Sequence, residues 1–248
     1  AKPAALLIDR KGAATRVRDE SWTTLAQPLA AWESIVTDLA DGDTGPELLT
    51  LRRTLAGWRF YDHFRVDADA PARTPQVGTR SHTLAHGGEN LAAVWATIRD
   101  AGVGADLDGA VARAFPGARV QIDAADGRFT LAMRQPGLLR PLAAGELSDG
   151  TLRYLLLCAA LLPARPAPLL VLNEPEASLH PDLLDPLAEL IAAASAQSQV
   201  IVVTHAERLA AALERSGALT HRLESSRDGT LVAGQGVLDR PAWNWGSR

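Results

Sequence analysis

From Leu147 onward the chain alternates between two kinds of apolar segment, and that alternation leaves few architectures open. Leu152 to Leu162 is apolar almost throughout and long enough for a helix. Leu169-Leu170-Val171-Leu172 and Val200-Ile201-Val202-Val203 are short and carry no charge. A strand without a polar face is expected to be covered on both sides, as in a parallel sheet. Helix, strand, helix, strand, helix in succession therefore predicts a parallel α/β core. Both strands run into polar residues, Asn173-Glu174 and Thr204-His205. Open α/β sheets place their ligands at such carboxyl ends, so chemistry is expected there.

The residues before this core have a different rhythm. Ala5 to Asp9 and Thr15 to Arg18, around a Lys11-Gly12 turn, predict a hairpin. Leu25–Leu39 and Glu47–Leu55 show helical spacing, punctuated by Asp41-Gly42-Asp43-Thr44-Gly45-Pro46. Arg59 to Phe64 suits a short strand. Asp67 to Arg80, rich in Pro, Asp and Arg, reads as an exposed and partly mobile loop. Glu89–Asp100 and Leu107–Phe115 predict amphipathic helices. Arg119–Asp123 and Arg128–Met133 predict paired strands with Asp126-Gly127 at the turn, and Thr220–Leu238 predicts another short hairpin with Asp228-Gly229 at its tip. No internal repeat is present.

Composition narrows the class further. A chain of 248 residues with 47% hydrophobic and 22% charged residues can bury a substantial core. The net charge of −4 gives no general attraction to nucleic acid, and no basic run or aromatic-basic stripe marks a surface for it. Every apolar run is broken before the ~18 residues a membrane span needs, and no signal peptide is visible. The single cysteine, Cys158, excludes an internal disulfide and fits a cytoplasmic protein. The opening Ala-Lys-Pro, with a hairpin already in progress, reads as a truncation point or the edge of an ordered region.

Several residues carry a chemical reading beside a plain one. Ser148, in Ser148-Asp149-Gly150-Thr151, suits the N-cap of the following helix. The same helix N-terminus, with a small hydroxyl residue and a glycine, can be approached closely by a phosphate. Arg153 can reach nucleotide or pair with a carboxylate. His180-Pro181 suits a helix start, since proline fits the first turn, and Pro186 is placed to bend that helix. His63, His82, His86 and His221 lack metal-site spacing and read as structural or solvated. Trp243 and Trp245 read as packing residues.

Taken together, Leu147-Ser148-Asp149-Gly150-Thr151, Leu169 to Glu174 and Val200 to His205 resemble the signature, Walker B and switch-histidine elements of ABC-type ATPases. The resemblance is to the RecF-like and SMC-like branch. It is closest over 147–206, looser near 60–100, and slight elsewhere. It implies a P-loop NTPase core with flanking antiparallel strands and a helical insertion. On this reading, 1–146 is the remainder of an N-terminal lobe and 147–248 holds the signature, Walker B and switch-histidine core.

The resemblance also assigns roles. Glu174 is implied as the general base or water-orienting group for attack on the γ-phosphate of ATP, and His205 as the γ-phosphate sensor. Ser148, Asp149, Gly150 and Arg153 are implied on the nucleotide side, and Pro175 to Pro181 as the loop that meets a partner subunit. Asn173 stands where an aspartate usually holds the Mg²⁺-bound water. Asn keeps the oxygen and loses the charge, which weakens metal binding, whether the residue is a natural variant or an introduced one. Gln76 is a poor match for the glutamine of the family's Q-loop. Gly87-Gly88-Glu89-Asn90-Leu91 resembles a Gly-x-Asn-Leu helix start, a role that helix entry alone explains.

One part does not appear. A P-loop needs Gly-Lys-Ser/Thr after a glycine-rich turn, and the two lysines, Lys2 and Lys11, do not fit. The resemblance implies an ATP- and Mg²⁺-dependent ATPase whose heads form a homodimer around ATP, with a possible link to DNA repair or defence. The 248 residues alone are expected to bind nucleotide poorly and to be inactive. The alternative is a non-catalytic, nucleotide-gated interaction module that has lost turnover. Only 43 residues follow His205, which leaves little room for a fused nuclease.

Overall fold

The computed structural model describes residues 6–234 apart from 19–20, 27, 40–45 and 227–228. An antiparallel sheet comes first, formed by β1 (Ile8–Lys11), β2 (Ala14–Arg18) and β3 (Trp22–Thr24). Its first turn carries Gly12 at a φ of 61°, as the expected hairpin requires. The helix expected over Leu25–Leu39 forms only as α1 (Ile35–Asp38). The residues before it are tied to the hairpin instead. The Arg10 guanidinium donates to the carbonyls of Ala30 and Glu33, each at 2.6 Å, and the Leu29 N–H donates to the Ala13 carbonyl. Carbonyls engaged in this way are withdrawn from a helical ladder. Pro28 has no N–H to give one.

Next come α2 (Pro46–Ala56) and β4 (Arg59–Tyr61). The Asp41–Gly45 turn lies outside the described residues. The segment over Asp67–Arg80 is largely exposed, as its composition predicts, but it is pinned to the fold at its middle. It contains a 3₁₀ turn at Pro71–Arg73, buries Ala70 and Ala72, and contributes β5 (Gln76–Val77). Two amphipathic helices follow, α3 (Leu91–Asp100) and α4 (Gly104–Ala114). They bury Leu91, Val94, Trp95, Ile98, Leu107 and Val111, as their spacing predicts. Asn90 precedes α3 and ties its entry down: its side chain accepts from the Ala85 N–H and donates to the Thr83 carbonyl.

The second antiparallel sheet pairs β6 (Arg119–Ala125) with β7 (Arg128–Arg134), and β7 also pairs with β5 and with β8 (Leu142–Ala143). Asp126 and Gly127 both take positive φ at the expected turn.

The alternating core then appears in the predicted order: α5 (Asp149–Leu161), β9 (Leu169–Asn173), α6 (Leu184–Ser195), β10 (Gln199–Val203) and α7 (Glu207–Arg215). Pro186 falls in the first turn of α6, where a missing N–H breaks no helical bond, so it does not bend the helix interior. β9 lies between β10 and β4 and is parallel to both, so a strand from before Leu147 completes this sheet. α5 is buried from Leu152 through Leu161, which explains why it is apolar all round. The chain ends, among the described residues, with the hairpin of β11 (Leu223–Ser226) and β12 (Gly229–Val232). Asp228, Trp243 and Trp245 lie outside them.

One face of the parallel sheet is covered. Tyr61, Leu170 and Leu172 join a single apolar core with residues of α3 to α7. The other face is open among the described residues, which departs from the two-sided cover predicted for these strands. Phe60, Val171 and Ile201 are neighbours across it in register. Phe60, Ile201 and Val203 are 46%, 44% and 47% exposed. Among the described residues, no helix is long and apolar enough to cross a membrane.

Candidate functional site

Glu174 leaves the end of β9 in the left-handed region, at a φ of 43°. That conformation costs a residue with a side chain roughly 1–2 kcal/mol, and it persists only where the surroundings enforce it. Here they do. The Glu174 N–H donates to the Val203 carbonyl at 2.8 Å, stapling the loop after β9 to the end of β10. The turn points the Glu174 carboxylate across the sheet edge, and Oε1 lies 3.3 Å from Nε2 of His205. Both side chains face solvent. The two residues singled out as catalytic are thus brought together at the carboxyl edge of the sheet.

Arg153 is arranged differently from either sequence reading. It is buried on α5 and donates to the carbonyls of Glu174 at 2.9 Å and Pro175 at 3.3 Å. It braces the loop after β9 from behind. Burial holds its guanidinium below the usual range, against the attraction of the Glu176 and Glu174 carboxylates.

Asn173 lies at the last position of β9, beside the end of β4. Its Nδ2 donates to Oδ1 of Asp62 at 2.7 Å. A carboxyl group therefore stands beside Asn173, on the residue that follows β4. Two oxygen-bearing side chains now stand together at the sheet edge, the donor type that Mg²⁺ takes. Asp62 escaped the sequence reading because only the parallel pairing of β4 with β9 brings it there.

The signature-like turn opens α5 as predicted. Ser148 is the N-cap: its Oγ accepts from the Thr151 N–H at 3.2 Å and lies 2.8 Å from the Thr151 hydroxyl. A Cβ on Gly150 would meet the Ser178 carbonyl oxygen at 2.7 Å, so the missing side chain admits the loop after β9. Asp149 accepts from Arg73 at 2.6 Å. Arg73 also donates to the carbonyls of Val66, Asp67, Ala144 and Leu147, so one buried guanidinium joins the segment after β4 to the signature turn. A groove lined by Ser148, Gly150, Thr151, Ser178, Leu179 and His180 opens beside this turn, with neither Glu174 nor His205 among its walls.

The remaining polar candidates have structural duties. His180 caps the 3₁₀ turn at Pro181–Leu183, its Nδ1 accepting from the Asp182 N–H. Gln76 accepts from the Ala92 N–H at the start of α3. Among the described residues, no cluster of three or more His, Cys, Asp or Glu side chains could hold a metal ion.

The parallel α/β sheet with its flanking antiparallel strands is that of an ATPase-type P-loop NTPase domain. The chain belongs to the family described as "AAA domain, putative AbiEii toxin, Type IV TA system", whose model matches residues 20–210. Many solved structures are similar to it, SMC heads among them. A structure described as "Structural biochemistry of ATP-driven dimerization and DNA stimulated activation of SMC ATPases" is 19% identical, with 58% of this chain and 90% of that chain covered and a TM-score of 0.45. The SMC head domain from Thermotoga maritima is 14% identical, with 91% and 71% covered and a TM-score of 0.45. An Smc head domain with a coiled coil and joint derived from Pyrococcus yayanosii is 19% identical, with 58% and 28% covered and a TM-score of 0.45. No curated protein matches the chain.

Proposed function

We propose that this domain hydrolyses ATP as part of a RecF-like head that dimerises around the nucleotide. The observation that carries the reading is the left-handed turn at Glu174, which sets its carboxylate 3.3 Å from His205 at the carboxyl edge of a parallel sheet. In that geometry Glu174 orients a water and takes its proton as the water attacks the γ-phosphate. His205 hydrogen-bonds a γ-phosphate oxygen. Asn173 and Asp62 would hold Mg²⁺, which supplies charge neutralisation at the phosphates when bound.

The phosphate cradle is proposed to come from outside these 248 residues, which contain no Gly-Lys-Ser/Thr. The groove beside Ser148 and Gly150 supports the dimer, because Glu174 and His205 do not line it. Ser148 and Asp149 would then face nucleotide held by a second head. Arg153 enters this reading as the brace of the Glu174 loop rather than as a nucleotide contact. A role on DNA, in repair or defence, rests on the resemblance of the motifs alone.

The second reading is a nucleotide-gated interaction module without turnover, favoured by the uncharged Asn173. ATP turnover with Mg²⁺ separates the two, measured on a full-length protein that includes a P-loop and on its Glu174→Gln variant. Turnover in the first, lost by about 10²–10⁴-fold in the second with ATP binding retained, supports the hydrolase. No turnover in a folded protein that still dimerises on ATP leaves the interaction module.

A further inference from the structure

The loop that carries His205 has no helix or strand of its own to fix it. It is the three-residue link between β10 and α7. One side chain holds it. Oε1 of Glu176 accepts from the Thr204 hydroxyl at 2.5 Å, from the His205 N–H at 3.2 Å and from the Ala206 N–H at 3.3 Å. The Thr204 hydroxyl oxygen in turn accepts from the Ala206 N–H at 3.0 Å. Bonds to a carboxylate are roughly twice as strong as neutral ones, and the start of α7 favours negative charge. Oε2 of Glu176 is buried and, among the described residues, makes no hydrogen bond.

Glu176 sits two residues after Glu174, in the loop whose carbonyls Arg153 holds at Glu174 and Pro175. The same three-residue stretch therefore sets the Glu174 carboxylate and clamps the backbone of His205. We propose that Glu176 is a positioning residue that keeps His205 in register with Glu174, so that the two act on one phosphate. Its bonded oxygen is spent on the loop and its other oxygen is buried, so it does not itself act as the base.

This proposal rests on the hydrolase reading above, and its test has one readout that does not depend on turnover. In the full-length protein, Glu176→Ala is expected to lower kcat by about 100-fold, the scale of a displaced catalytic group, with the KM for ATP within about twofold. Glu176→Gln keeps an acceptor oxygen and is expected to retain at least about a tenth of wild-type kcat. In protein carrying ring-labelled histidine, the His205 resonance, assigned with His205→Gln, is expected to narrow and move in Glu176→Ala and to stay in place in Glu176→Gln.

A folded Glu176→Ala with wild-type kcat and an unmoved His205 resonance overturns the proposal. So does a Glu176→Gln variant as impaired as Glu176→Ala, because charge and not position would then be at work. If Glu176→Ala does not fold, Thr204→Val removes one of the clamped donors, and an unmoved His205 resonance there overturns the proposal equally. Wild-type protein without turnover sinks the hydrolase reading, while the resonance still decides whether Glu176 holds His205.

Discussion

Gly150 and Ser178 meet so closely that a Cβ on the glycine would stand 2.7 Å from the serine carbonyl oxygen. Ser178 is itself left-handed, at a φ of 63°. The turn that opens α5 and the loop that follows β9 are therefore fitted to each other, backbone against backbone. Gly150→Ala forces one of them to move. It is expected to destabilise the fold by about 1–3 kcal/mol, the cost of an extra methyl group in a close contact. Urea unfolding measures this, and an unchanged midpoint would show that the contact yields freely.

Arg73 makes an equally specific demand. Its buried guanidinium serves the carbonyls of Val66, Asp67, Ala144 and Leu147 and the carboxylate of Asp149. Orphaned buried acceptors cost about 1–3 kcal/mol each. Arg73→Ala is expected to lose about 3 kcal/mol or more, and Arg73→Lys to recover less than half of it, because an ammonium cannot span both segments. A lysine variant as stable as wild type in chemical denaturation would refute this account.

Asn173→Asp places a second carboxylate 2.7 Å from the Asp62 oxygen that now accepts a hydrogen bond. Two like charges so close raise the free energy of the metal-free protein. The variant is expected to melt at a lower temperature than wild type without metal and to gain more from added Mg²⁺. Thermal melts with and without Mg²⁺, in the absence of nucleotide, measure both effects. Equal gains in the two proteins would remove Asp62 from the metal site.

Three buried groups make the fold sensitive to alkali. Burial pushes the Tyr61 hydroxyl from 10.0 to about 12, and it raises Tyr154 and the Cys158 thiol as well. The unfolded chain releases these protons at lower pH than the folded chain does. The stability they contribute is thus fully present below the thiol's ordinary value of 9.0 and is lost progressively as the pH rises through 12. Denaturant midpoints across this range should fall. Cys158, fully enclosed, should react with an alkylating reagent only at the rate at which the protein opens. Prompt labelling of the native protein would contradict its burial.

What the sequence determined by itself was the succession of elements. Charge-free runs at 169–172 and 200–203, separated by helical periodicity, predict parallel strands and crossover helices, the arrangement that covers such runs with helices. The same local patterns place Ser148 at a helix start and Glu174 and His205 at strand ends. These are properties of neighbouring residues, so they can be read along the chain.

The tertiary structure decided which distant residues share a task. Asp62 reaches Asn173 only through the pairing of β4 with β9. Arg73, from a stretch whose composition suggests a solvated loop, is buried against the signature turn. Arg153 turns inward to the Glu174 loop, and Glu176 crosses to the backbone of His205. The segment over Leu25–Leu39 gave up most of its helix because Arg10 claims its carbonyls. Each outcome is set by hydrogen-bonding groups that must be satisfied once buried, and the partner that satisfies them is chosen by the packing of strands and helices, which no local pattern specifies.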